Sequence, residues 1–131
     1  MAEIQSSSTG LSGVYFVAAK LLRRGFSVGI TMGNAKAIDI LAEKVTRQFI
    51  IQVKAIYKNK NVGWPMMKDK VIINHFYVFV NLNGDKMSEP DYFIATGIEA
   101  KLKVKQYATR GIIDLSSLNN EEFKSRWIKI Q

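Results

Sequence analysis

The chain has 131 residues, 47% hydrophobic and 23% charged, which suits a single globular domain (residues 1–131) with a real core. It has no cysteine, which excludes disulfide staples and thiolate metal sites, and its apolar runs fall far short of the roughly 18 residues that a membrane span needs. A net charge of +8 at pH 7 favours polyanionic partners, nucleic acid before anionic membrane, although such a charge also serves as a solubilising surface.

Residues 1–9 read as a polar, frayed start. The opening MAEIQSSSTG lacks the basic and apolar regions of a signal peptide, so a cytoplasmic setting is the expectation. From Leu11 to Arg24 the positions Leu11, Val14, Tyr15, Ala18, Leu21 and Leu22 recur at helical spacing. Arg23 and Arg24 suit the last turn of that helix, and Gly25 suits its C′ position. The segment 26-FSVGIT-31 reads as a strand and 32-MGNAK-36 as a turn. Next come 37-AIDILAE-43 and 49-FIIQVKA-55, rich in β-branched residues and separated by the polar 44-KVTR-47, a hairpin signature.

Residues 56–74 read mostly as loop, broken by Gly63 and Pro65, and 76-FYVFVNL-82 with 91-DYFIAT-96 forms a second strand pair. A helix is expected from about Ile98 to Tyr107. In the tail, Ser117 or Asn119 suits an N-cap, with Glu121 and Glu122 in the first turn of a last helix. Its Phe123, Trp127 and Ile130 read as packing residues. The order of helix, three strands, two strands and helix indicates an α/β or α+β fold with a mixed sheet.

Register gives the hairpin its interest. A four-residue loop at 44–47 pairs Glu43 with Gln48, and counting back sets Asp39 opposite Gln52 and Ala37 opposite Lys54. Opposed residues share a face, and a lysine reaches the diagonal from Lys54 to Asp39. Ile38, Ile40, Ile51 and Val53 then fall on the other face and can build a core. A carboxylate, an amide and an ammonium thus converge on one spot. A structural salt bridge between Asp39 and Lys54, capped by Gln52, is an equally good reading of that pattern, although a buried ion pair is seldom chosen for stability alone.

Those residues resemble the bipartite motif of the PD-(D/E)XK nuclease superfamily, with 38-ID-39 followed by 52-QVK-54. More closely, 10-GLSGVYFVAAKLLRRGF-26, 33-GNAKAIDILAE-43, 63-GWP-65 and 76-FYVFVNLNG-84 are similar to elements of small uncharacterised bacterial endonuclease-like proteins. The resemblance covers Gly10 to Thr96 and extends more loosely to Trp127. It implies a restriction-endonuclease-like fold, a central mixed β-sheet flanked by helices. It implies Mg2+- or Mn2+-dependent hydrolysis of nucleic-acid phosphodiesters, DNA rather than RNA. By the resemblance, Asp39 and Gln52 would hold the metal, and Lys54 would orient or help deprotonate the attacking water and stabilise transition-state charge. Lys36, Lys58, Lys60 and Lys68 would hold backbone phosphates without reading sequence.

The chain departs from the family pattern in two places. Gln52 stands where the family usually carries an acid, and Val14 stands where related sequences often carry a second acidic ligand on the first helix. Glu43 shares the face of Asp39 but lies about 13 Å along the strand, too far for one ion. Restoring the helix acid by Val14→Glu is therefore the expected way to revive a lapsed site. The alternative function is a catalytically lapsed nuclease-fold protein that binds DNA or another protein. A homodimer through the sheet edge or a tail helix near Trp127 is compatible with either. His75, the only histidine, reads as a strand flank rather than a base, and Trp64 as a packing anchor with base stacking as its alternative.

Overall fold

The computed structural model describes residues 6–32, 38–57, 60 and 62–131, and the side chains of Ser6, Ser7, Met32, Ile38 and Asp39 lie outside that description. Lys36, Lys58 and the turn expected after Met32 also lie outside the described residues.

The first helix, α1, runs over Ser6–Arg23 and buries Val14, Val17, Ala18 and Leu21. It ends as the glycine predicts: Gly25 takes φ 91°, Gly25 N–H donates to Leu22 O and Phe26 N–H donates to Leu21 O. Those two bonds form a Schellman motif, which needs the left-handed residue that glycine supplies without a Cβ penalty. Three strands follow, β1 (Ser27–Met32), β2 (Ile38–Lys44) and β3 (Arg47–Ile56). After a crossover come β5 (Phe76–Asn81) and β6 (Asp91–Thr96), giving one sheet of order β1-β2-β3-β5-β6. Only β3 and β5 run parallel, and every other neighbouring pair is antiparallel. The fold is α+β, with a five-stranded mixed sheet flanked by helices.

The sheet separates two apolar clusters. On the helix face, α1 packs with Ile40, Ile51, Val78, Val80 and Ile94, and with Trp127 and Ile130 from the tail. On the crossover face, Trp64, Met66 and Val71 from residues 57–75 pack on Tyr77, Phe79 and Phe93. The crossover is more ordered than a loop. It contains β4 (Gly63–Pro65), which pairs with β8 (Gly111–Asp114), and β8 pairs with β7 (Lys105–Gln106) to make a second small sheet. Trp64 is fully buried, its Nε1–H donates to Val80 O at 3.1 Å, and its ring meets Phe79 and Phe93. Base stacking by Trp64 is thereby ruled out.

Two expected helices are shorter than the pattern suggested. The second helix, α2 (Gly97–Lys103), stops before Tyr107 because buried Val104 leaves it in an extended conformation to join the second cluster. The tail forms only short turns, a 3-10 one over Trp127–Lys129 and before it α3 (Leu115–Leu118), which ends where the last helix was expected to begin. Residues beyond it lie along β6, with Ile94 N–H donating to Phe123 O and Ser125 N–H donating to Tyr92 O. Trp127 is 4% exposed and tilted against Tyr92. It cannot serve as an exposed dimerisation anchor.

A capping box at Thr96 and Glu99 starts α2, and Lys129 of the tail pairs with Glu99 at 3.0 Å. Burial pushes the Glu99 carboxyl up, but the Thr96 N–H and Lys129 outweigh it and hold the group below the usual carboxylate range. A lowered folded-state value adds stability that is present above the unfolded value of about 4.3 and lost as pH falls through the folded one. Acid titration of denaturant midpoints below pH 5 is therefore expected to show a smaller loss for Glu99→Gln than for wild type. The β2–β3 turn yields a second expectation. Val45 sits at φ 59°, a conformation unfavourable for a β-branched residue. Val45→Gly should raise stability by about 1 kcal/mol, read as a higher urea midpoint at unchanged slope.

Candidate functional site

The hairpin closes more tightly than expected, with Lys44 paired to Arg47 around the two turn residues Val45 and Thr46. The ladder gains the pair Lys44–Arg47 beyond Glu43–Gln48, so the register is unchanged and Asp39 pairs with Gln52. On its other side Gln52 lies beside Tyr77, and Lys54 beside Phe79. Ile51, Val53 and Ala55 belong to the helix-face core, so strand alternation places Gln52 and Lys54 on the crossover face.

That face is only half covered. The second cluster caps it over β5 and β6, whereas Leu41 and Ile50, on β2 and β3, are about 40% exposed. Gln52 and Lys54 are half-buried at the rim between the capped and open halves. A rim position keeps both groups accessible to a large ligand while lowering the local dielectric around them.

A further residue joins the site. Gln52 Nε2 lies 3.0 Å from His75 Nδ1. An amide N–H donating to an unprotonated Nδ1 leaves the Gln52 Oε1 lone pairs uncommitted. His75 thus orients Gln52. The sequence gives little sign of this, because the contact depends on the parallel register that sets Ile51 beside Phe76, at the far end of the crossover. Lys54 has no hydrogen-bond or ion-pair partner among the described residues. Among the described residues four other lysines stand in ion pairs, Lys20 with Glu89, Lys105 with Asp114, Lys124 with Asp91 and Lys129 with Glu99, and Lys44 donates to Arg24 O. Lys60 and Lys68 are exposed on the crossover.

Val14 does not approach this group. It is 2% exposed within the helix-face cluster, and α1 lies against the side of β3 that Gln52 and Lys54 turn away from. The contact is close: a Cβ on Gly13 would stand 2.5 Å from Ala55 Cβ. The expectation that Val14→Glu supplies a second ligand is therefore corrected. Among the described residues no three histidine, aspartate or glutamate side chains gather into a metal-holding group, and no helix is long and apolar enough to cross a membrane.

No family model matches the chain, and no curated protein and no solved structure matches it either. The residues themselves therefore carry the functional argument. Val14→Glu is expected to bury an unpaired carboxylate and lower stability by about 3 kcal/mol or more. A denaturant midpoint equal to wild type would contradict this placement of α1.

Proposed function

We propose that the protein is a metal-dependent nucleic-acid phosphodiesterase, acting on DNA more readily than RNA, with Asp39, Gln52 and Lys54 as its site. The observation that carries the reading is the register: the acid and the Gln-x-Lys pair stand on adjacent strands, with Asp39 directly opposite Gln52. This is the placement that the resemblance to PD-(D/E)XK nucleases requires, and the mixed sheet flanked by helices is compatible with it.

The donor set fits a hard cation. Gln52 is held to His75 through its nitrogen, which leaves the amide oxygen to face a ligand. One carboxylate, one amide oxygen, waters and substrate phosphate make a coordination sphere that Mg2+ accepts, because this ion keeps several of its waters. Asp39 and Gln52 would hold the ion, which when bound would supply positive charge to the phosphoryl oxygens. Lys54 has its own work beside it. Its ammonium donates to the water that attacks phosphorus and to the non-bridging oxygens, where charge accumulates in the transition state. Lys36, Lys58, Lys60 and Lys68 then attract backbone phosphates without reading sequence.

A second reading keeps the fold and the polyanion but not the hydrolysis. It is favoured by the placement of Val14 in the core, which removes that helix position as the source of a second carboxylate. A DNA-binding or protein-interaction module follows from that.

Duplex, branched and single-stranded DNA, and RNA, incubated with Mg2+ or Mn2+ and then with EDTA, separate the two. The nuclease reading expects cutting that EDTA abolishes and that Lys54→Ala lowers by about 100- to 1,000-fold, with binding retained. Salt-dependent binding with no cutting under either metal would leave the binding module. A flat plot of log affinity against log salt would remove nucleic acid as the partner altogether.

A further inference from the structure

The two edges of the sheet are treated differently. Along β6 the tail bonds to the outer backbone, through Ile94 N–H to Phe123 O, Ser125 N–H to Tyr92 O and a bridge between Phe93 and Lys124. Along β1 the inner side pairs with β2, and among the described residues no element lies outside it. An edge strand offers backbone N–H and C=O groups to a further strand, and proteins ordinarily blunt it with lysine, proline or a bulge. The strand SVGITM has none of these: it pairs residue for residue with β2, without a charge or a proline, in a chain that carries +8.

The neighbouring flank of α1 is apolar as well. Ser12, Phe16 and Lys20 lie on the side of the helix that faces β6, since Lys20 pairs with Glu89 and sits over the Tyr92 ring. At 3.6 residues per turn, Leu11, Tyr15 and Leu22 fall on the opposite flank, towards β1. Tyr15 is 59% and Leu22 56% exposed. Val28 and Ile30 of β1 belong to the same face of the sheet and are only half-buried against the core.

We propose that β1 pairs antiparallel with β1 of a second copy, making a twofold dimer with one continuous ten-stranded sheet. The arithmetic of faces selects the register. A twofold axis normal to the sheet requires paired residues to share a face, so the axis must pass a residue rather than a gap. Centring it on Gly29 or on Ile30 pairs five residues of each strand, and the Gly29 centre is the one that sets Val28 opposite the partner subunit's Ile30, with Gly29 opposite its own copy. Val28 and Ile30 then form β-branched cross-strand pairs beneath the helices, and Tyr15 and Leu22 of the two α1 helices approach each other above them. The strip is uncharged, so two strongly cationic chains meet where like-charge repulsion is least. The dimer does not depend on the nuclease reading, and its failure would leave that reading intact.

Gly29 makes the test clean. A Cβ there meets nothing within 4 Å, and its φ lies outside the left-handed region, so larger residues fit the monomer. Sedimentation equilibrium of wild type across the micromolar range is expected to show a reversible monomer–dimer equilibrium. Gly29→Lys and Gly29→Glu should each weaken it about tenfold or more, by setting like charges face to face across the axis. Mixing the two variants should restore dimer, now as a heterodimer. Leu22→Lys should weaken it too, through the helix flank. A wild type that stays monomeric throughout would overturn the proposal. So would a dimer indifferent to Gly29→Lys, or variants that fail to recombine on mixing while keeping the wild-type circular dichroism spectrum.

Discussion

The close seat of α1 on β3 decides the rest of the molecule. Gly13 has no side chain where Ala55 Cβ approaches, so the helix settles directly on Val53 and Ala55. Once that side of β3 is core, strand alternation leaves Gln52 and Lys54 no choice but the opposite side. The crossover then needs apolar residues of its own, and it supplies Trp64, Met66 and Val71 over β5. The polar pair survives at the rim because this second layer does not extend over β2.

Local signals made much of this visible in the sequence. The end of α1 was marked by Gly25, and the hairpin register by alternation in FIIQVKA, which tolerates a tighter turn because shortening the loop symmetrically moves no pair. What stayed hidden depended on distant pairing. GWP is too short to announce a strand, and β4 exists only because β8, some fifty residues later, takes its hydrogen bonds. The tail carried a plausible helix start at Ser117 or Asn119, yet the pull of β6's unpaired backbone and of a pocket for Trp127 outweighed local propensity.

The candidate site divides along the same line. The register of Asp39 against Gln52 was legible because a hairpin is a local object. His75 was not, since its place beside Gln52 follows from the one parallel pairing in the large sheet. Val14 misled for a related reason: a helix position can be matched in sequence to a ligand, but which side of the sheet the helix occupies is a tertiary fact. Gln52 is better understood as half of a pair with His75 than as a weakened acid. A neutral amide held by an imidazole presents an oxygen of fixed direction without demanding a counter-charge.

The chain has two tryptophans, and the sheet sorts them, Trp127 to one layer and Trp64 to the other. Each indole is an optical reporter for a separate half of the interior. Trp127→Phe leaves a fluorophore that senses only the crossover layer, and Trp64→Phe one that senses only the helix layer. Coincident emission changes from the two single-tryptophan proteins would mean that both layers part in one cooperative event, whereas staggered ones would resolve the order in which the fold comes apart.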